Sequence, residues 1–255
     1  MIAILAAALL QAPVLDSVVS DAARTGFTGT VLVGALDAAP HAPPIFARSV
    51  GRDARTGATI TPASRWRWAS VTKQVTAVLV LQEVAAGRLA LDAPIARVLP
   101  DFRGPTAARV TVRQLLRHTS GLPDPDSTAD GALPPLFTSL PRGDANRAAA
   151  AGACAGTPRA EPGAGFRYDN CDYLVLGAVL ARVTRAPYAT VVRRRLARQA
   201  GTRGVQLQVD GRRTDVGAPD AADSSERRLA LASYGAAGAL VAPLGDMLAF
   251  DRALA

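Results

Sequence analysis

The stretch Trp68-Ala69-Ser70-Val71-Thr72-Lys73 opens a helix and constrains everything around it. Ser70 and Lys73 are three residues apart, so a helix places them on one face with Cβ atoms about 5–6 Å apart. A serine hydroxyl is a poor nucleophile until a neighbouring base takes its proton. A lysine can be that base, and a helix N-terminus adds partial positive charge beside a developing oxyanion. Lys73 is the only lysine among 29 Lys and Arg residues. Arginine serves a solvated face equally well but cannot be deprotonated. The single lysine therefore stands where a deprotonatable amine is needed. The competing reading is a capping serine followed by a solvated lysine.

The 255 residues suffice for one large domain or two small ones, and 49% hydrophobic against 20% charged residues is ordinary for a globular chain. The net charge of +8 raises nucleic-acid binding as a question. The arginines are spread along the chain, however. The densest run, Arg193-Arg194-Arg195 with Arg198, lies on an expected helix without interleaved aromatics and reads as a solvated face. No nucleic-acid partner is expected.

Residues 1–12 (MIAILAAALLQA) are almost wholly apolar but too short to span a bilayer, which takes about 20 residues. They read as the apolar core of a secretory signal ending at Ala12, or as a buried helix. Under the first reading the mature domain is 13–255, and the protein is periplasmic or secreted. No integral membrane segment is expected. Cys154 and Cys171 form no Cys-x-x-Cys pattern, and the only imidazoles are His41 and His118. That argues against a zinc site. Export makes a Cys154–Cys171 disulfide reasonable, and two independent thiols remain the alternative.

Taken in order, Val14–Ala23 has helical spacing. Thr28–Leu36 and Ile45–Val50 read as strands of a hairpin, with loop from Gly51 to Ser64. The helix at Ser70 carries Val71, Val75, Val78, Leu79 and Val84 on an apolar face and ends at Gly87. Asp92 and Pro94 begin a short helix, and Thr111 to Gln114 is a capping-box pattern opening another that reaches about His118. Leu122–Gly165 reads as long loops with one or two short helices. Helices are expected at Asp172–Val183, Tyr188–Gln199 and Leu244–Leu254, with a short strand at Val205–Val209.

Two further motifs carry polar chemistry. Tyr168-Asp169-Asn170 sets a phenol and an amide on one side of an extended turn. The phenol can relay a proton, and the amide can donate to and accept from a substrate amide. The alternative is a helix-entry cap with a packed tyrosine. The segment Leu115-Leu116-Arg117-His118-Thr119-Ser120-Gly121-Leu122 reads as a helix end turning sharply at Gly121. His118 has no Gly-x-Ser-x-Gly elbow to serve.

Together the order Ser-x-x-Lys, Leu-Leu-x-His-Thr-Ser-Gly-Leu and Pro-Gly-x-x-Phe-x-Tyr-x-Asn resembles the serine β-lactamase-related family, which includes class C β-lactamases, D-alanyl-D-alanine carboxypeptidases and esterases. The likeness runs from about Phe27 to the C-terminus. It implies an α/β fold: an antiparallel sheet flanked by helices, plus a mostly helical subdomain carrying Tyr168, with Ser70 in the cleft between them. It implies that Ser70 is acylated, that Lys73 is its base partner, and that Tyr168 assists proton transfer to the leaving group and in deacylation. It also implies that Asn170 holds the substrate's amide and that the Ser70 N–H supplies half of an oxyanion hole. Neither cofactor nor metal is implied. The substrate would be a β-lactam, a D-Ala-D-Ala peptide or a small ester.

One departure stands out. The family's late Lys-Thr-Gly or His-x-Gly motif is missing, because no lysine follows Lys73 and no histidine follows His118. Tyr234–Phe250 resembles the segment that normally precedes it. The resulting expectation is a fragment or shortened homologue lacking C-terminal sheet strands, weakly active or inactive as it stands. The rival reading is a binding or scaffold protein that keeps the fold without turnover.

Overall fold

The computed structural model describes residues 2–123, 125, 135–139, 141, 143–202, 204–208 and 229–255, with side chains from Ala12 onward. Helix α1 (Ile2–Arg24) runs through Pro13 and takes in both the apolar N-terminal stretch and the helix expected at Val14–Ala23. Strands β1 (Gly29–Val33) and β2 (Phe46–Val50) form the expected antiparallel hairpin, with Gly29 opposite Val50 and Val33 opposite Phe46. Helix α1 is tied to β2, where Arg48 donates to the Asp16 carbonyl and to Ser20 Oγ.

Strand β3 (Arg65–Arg67) leads through a 3-10 turn (Ala69–Val71) into α2 (Thr72–Ala85). Ser70 thus sits in the 3-10 turn, just before the α-helix it was expected to begin. Val75 and Leu79 are buried as expected, while Val71 is exposed. Gly87, at φ 68°, follows the last turn of α2. Short helices α3 (Ile95–Val98) and α4 (Val112–Leu116) come next. The capping box at α4 forms in full: Thr111 Oγ1 accepts from the Gln114 N–H, and Gln114 Oε1 accepts from the Thr111 N–H.

Within the long-loop region lie α5 (Pro135–Thr138), α6 (Ala145–Ala151) and a 3-10 turn at Ala153–Ala155. The rest of 124–134 falls outside the described residues, Pro125 excepted. Helix α7 (Asn170–Thr184) is the centre of the core. Every residue from Asn170 to Leu180 is buried, so this part of the helix faces protein all round. At Gly177 an added Cβ would collide with Ala236 and Asn146, so glycine sets how closely the neighbouring elements approach. Helix α8 (Tyr188–Gln199) matches its expected bounds.

The remaining elements are β4 (Gln206–Leu207), α9 (Gly235–Gly238), β5 (Leu240–Pro243) and α10 (Leu244–Arg252). They contain the main feature that sequence reading missed. Strand β5 is the middle of a second antiparallel sheet of order β3-β5-β4, and neither β3 nor β5 was anticipated. Both are short, and β5 lies in a run of small residues that shows no alternation. The expected strand at Val205–Val209 is observed only over Gln206–Leu207, with Val209 outside the described residues. Helix α10 closes over the hairpin, where Arg252 donates to the carbonyls of Ala35 and Ala42.

Arg195 corrects the reading of its run. Arg193 and Arg194 are exposed, but Arg195 turns inward to Glu83, which is fully buried on α2 and also paired with Arg88. Cys154 and Cys171 form a disulfide joining the 3-10 turn after α6 to the first turn of α7. The architecture is helices packed around small antiparallel sheets, in agreement with the expected α/β class.

Candidate active site

Strand pairing delivers Ser70. The Trp68 N–H donates to the Leu240 carbonyl at 2.9 Å, and Trp68 itself is buried in the core. Ala69 then adopts φ 44°, a left-handed conformation that costs a non-glycine residue about 1–3 kcal/mol. This turn presents Ser70 at the surface. Thr72 fastens the turn from behind, its Oγ1 accepting from the Leu240 N–H at 3.3 Å.

Lys73 points inward and is only 6% exposed. Its Nζ donates to Ser70 Oγ at 3.2 Å, to Asn170 Oδ1 at 2.7 Å and to the Ala237 carbonyl at 2.8 Å. Three acceptors match the three donors of an ammonium group. Asn170 is the first residue of α7, whose N-cap Asp169 accepts from the Asp172 N–H at 2.9 Å. Tyr168 arrives from the other side and donates its phenol to Ser70 Oγ at 2.6 Å. The Lys73 ammonium lies 4.8 Å from the centroid of the Tyr168 ring, within cation–π range. The structure thus brings together all four residues singled out in the sequence: Ser70, Lys73, Tyr168 and Asn170.

Beside Ser70 opens a cleft of about 370 Å³, lined among others by Arg67, Asn170, Leu229, Leu231 and Tyr234. The Tyr234 ring is stacked on Phe137 with centroids 4.0 Å apart. Leu229, Leu231 and the stacked ring make part of the lining apolar, and Arg67, Ser70 and Asn170 supply polar groups.

A third layer lies behind Tyr168. His118 Nδ1 and Asp172 Oδ2 are 3.1 Å apart, within hydrogen-bond distance, and Ser120 donates to the other Asp172 oxygen. Burial pushes the Asp172 carboxyl well above the usual range, against the pull of the Ser120 hydrogen bond and the Lys73 charge. Burial likewise lowers His118, with Asp169 opposing and Lys73 adding to the effect. Sequence reading found the motif but not the partnership. His118 and Asp172 are 54 residues apart, and no spacing rule connects them. His118, Asp169 and Asp172 also place ligand-type atoms within 4.8 Å of one another. Those atoms already serve Ser120, the Asp172 amide and each other, beside a lysine ammonium, so the donor set suits a proton-sharing network better than a cation.

A family model described as Beta-lactamase matches residues 26–255. The chain belongs to the Beta-lactamase family. Esterase EstB of Burkholderia gladioli is 35% identical over 182 residues, which is 68% of this chain and 46% of that protein. Penicillin-binding protein 4 of Amycolatopsis lactamdurans is 35% identical over 145 residues, 55% of this chain and 35% of the relative. The chain thus spans less than half the length of these curated relatives. Among solved structures, the D-amino acid amidase of Ochrobactrum anthropi SV3 superposes with a TM-score of 0.71 at 26% identity, over 90% of this chain and 65% of that one. The fold is β-lactamase/transpeptidase-like. Among the described residues, no single helix is long and apolar enough to cross a membrane.

Proposed function

We propose that the protein is a serine hydrolase that cleaves an amide or ester through an acyl-enzyme on Ser70. One observation carries this reading: Ser70 Oγ is contacted at once by Lys73 Nζ at 3.2 Å and by the Tyr168 phenol at 2.6 Å. A serine that needs only to cap a helix gains nothing from two proton-transfer partners.

The proton accounting follows from that geometry. Ser70 must lose its hydroxyl proton as Oγ attacks the carbonyl carbon. The base is Lys73 in its free-amine form, in which Nζ accepts from the Ser70 hydroxyl in place of the donation seen at 3.2 Å, with Tyr168 completing the path. Asn170 Oδ1 and the Ala237 carbonyl then hold the resulting ammonium. Tyr168, half exposed at the mouth of the site, passes a proton to the leaving nitrogen or oxygen as the tetrahedral intermediate collapses. Water, deprotonated by the same pair, attacks the acyl-enzyme, frees the acid and returns the proton to Ser70. The Ser70 N–H lies in the first turn, where no intrahelical carbonyl precedes it, and serves as one oxyanion donor. The Asn170 amide is placed to receive a substrate amide at the cleft.

The printed names of the relatives span esterase, penicillin-binding protein and D-amino acid amidase. The proposed substrates are accordingly a β-lactam, a D-amino acid amide or peptide, or a small ester, with no cofactor required. The Cys154–Cys171 disulfide supports a periplasmic or secreted location, because structural disulfides persist in oxidising compartments. Hydrolysis of p-nitrophenyl acetate, a chromogenic cephalosporin and D-phenylalanine amide tests the reading. Weak turnover of at least one, lost in Ser70→Ala, is expected. Equal rates for wild type and variant would overturn it.

A further inference from the structure

We propose that His118, Asp172 and Ser120 form a buried platform that fixes the Tyr168 ring, and through it the Tyr168 hydroxyl on Ser70. This inference rests on the reading of Ser70 as the nucleophile. His118 touches neither Ser70 nor Lys73 through a hydrogen bond. Its ring lies against Tyr168 with centroids 4.6 Å apart and against Tyr173 at 5.1 Å, and it meets Phe166 edge-on at 5.9 Å. Tyr168 is half exposed, so packing on its solvent side does not hold it. What holds it lies beneath.

The backbone shows the same division of labour. The segment His118–Gly121 acts as a rail for the loop that carries Tyr168. The Arg167 N–H donates to the His118 carbonyl at 2.8 Å, and the Gly163 N–H donates to the Thr119 carbonyl at 2.8 Å. The Arg159 N–H donates to the Gly121 carbonyl at 2.9 Å. His118 adopts φ 54°, unfavourable for a side chain of its size, and is held there by the Asp172 hydrogen bond and the rail. Ser120 completes the platform from within: it donates to Asp172 while its Oγ accepts from the Leu122 N–H at 3.0 Å. A tilt of the imidazole would move the phenol, and displacement of a reacting group by about 1 Å can cost up to roughly 10²-fold in rate.

The titratable and charged groups facing His118 are Asp172 and Asp169 at the start of α7, Tyr173 on α7, Tyr168 on the loop and Lys73 on α2. His118, Asp172 and Ser120 are positioning residues.

The test couples two measurements on the full chain. Ser120→Ala and Asp172→Asn keep the His118 side chain but weaken what holds it, and neither residue hydrogen-bonds to Tyr168. Each is made in wild type and in Tyr168→Phe, and acylation of Ser70 by a chromogenic ester is timed across pH. In the presence of Tyr168 each variant is expected to slow acylation by about ten-fold and to change its pH profile. In the Tyr168→Phe background the further loss should stay within about two-fold. Equal losses in both backgrounds would mean a structural role only and would overturn the proposal. In parallel, the four tyrosines are labelled as 3-fluorotyrosine and followed by fluorine NMR. Ser120→Ala should shift or broaden the Tyr168 signal and leave the signal of Tyr188, which is fully buried and hydrogen-bonded to Thr76, unchanged, which also reports correct folding. An unmoved Tyr168 signal would overturn the platform even if Ser70 acylates normally. Should wild type fail to acylate at all, the hydrolase reading falls, and the fluorine signal alone decides the platform.

Discussion

The Tyr168 phenol donates to Ser70 Oγ at 2.6 Å across 98 residues of sequence, meeting Lys73 on the same oxygen. The contact joins the α2 entrance to the loop before α7. It makes the nucleophile answer to both elements at once.

Lys73→Arg keeps the positive charge but removes the deprotonatable amine. The guanidinium fork is also wider than the three-acceptor site formed by Ser70, Asn170 and Ala237. Acylation should fall by roughly 10²–10⁴-fold, the range for losing a general base. Rapid-mixing kinetics with an activated ester would report it, with far- and near-ultraviolet circular dichroism confirming that the fold is kept.

Gly121 lies at φ 71°, and an added Cβ would clash with the Ala160 carbonyl oxygen. Gly121→Ala is therefore expected to push the Tyr168 loop off its rail and to lower kcat by more than ten-fold, within the cost of a misplaced reacting group of up to about 10²-fold. Stability should drop by about 1–3 kcal/mol from the strained backbone. Steady-state kinetics and urea unfolding measure the two effects separately.

Glu83 is fully buried between Arg88 and Arg195, and its hydrogen bond to Arg88 leads in holding its carboxyl below the ordinary range. A carboxyl lowered on folding contributes stability above its unfolded pKa and loses it as pH falls through the folded one. Glu83→Gln should cost about 3 kcal/mol at pH 7, the low end for breaking a buried pair, because both guanidiniums keep contact with water. The gap between variant and wild type should close as pH falls below about 4. Chemical denaturation at pH 7, 5 and 3.5 gives the comparison.

The Cys154–Cys171 bridge closes a loop of sequence separation 17 and ends beside Asn170. Replacing both cysteines by serine should cost about 3 kcal/mol in the chain-entropy account. Because the bridge holds the first turn of α7, KM should rise more than kcat falls if Asn170 binds the substrate amide. Urea unfolding and substrate saturation curves test the two parts.

How far the sequence could be read depended on whether a feature was local. Thr111 and Gln114 announced their capping box because both partners lie within one turn. Helix α8 was legible from its local stretch, expected from about Tyr188 to Gln199 and observed there, with Val191, Val192 and Leu196 on its buried face. Strand β5 was not, since Leu240–Pro243 owes its existence to pairing with β3 more than 170 residues earlier in the chain. The site shows the same contrast. Ser70 and Lys73 share a turn and were visible at once. The inward turn of Arg195 to Glu83 and the partnership of His118 with Asp172 are long-range consequences of packing α7 and α8 against α2 and α4, and no local pattern encodes them.

The most direct test is intact mass after incubation with a fluorescent penicillin and, separately, with a fluorophosphonate, on wild type and Ser70→Ala. A mass increase of one acyl or phosphonyl group on wild type alone is the result expected of a working Ser70 nucleophile. No adduct from either probe, or the same adduct on Ser70→Ala, would contradict it.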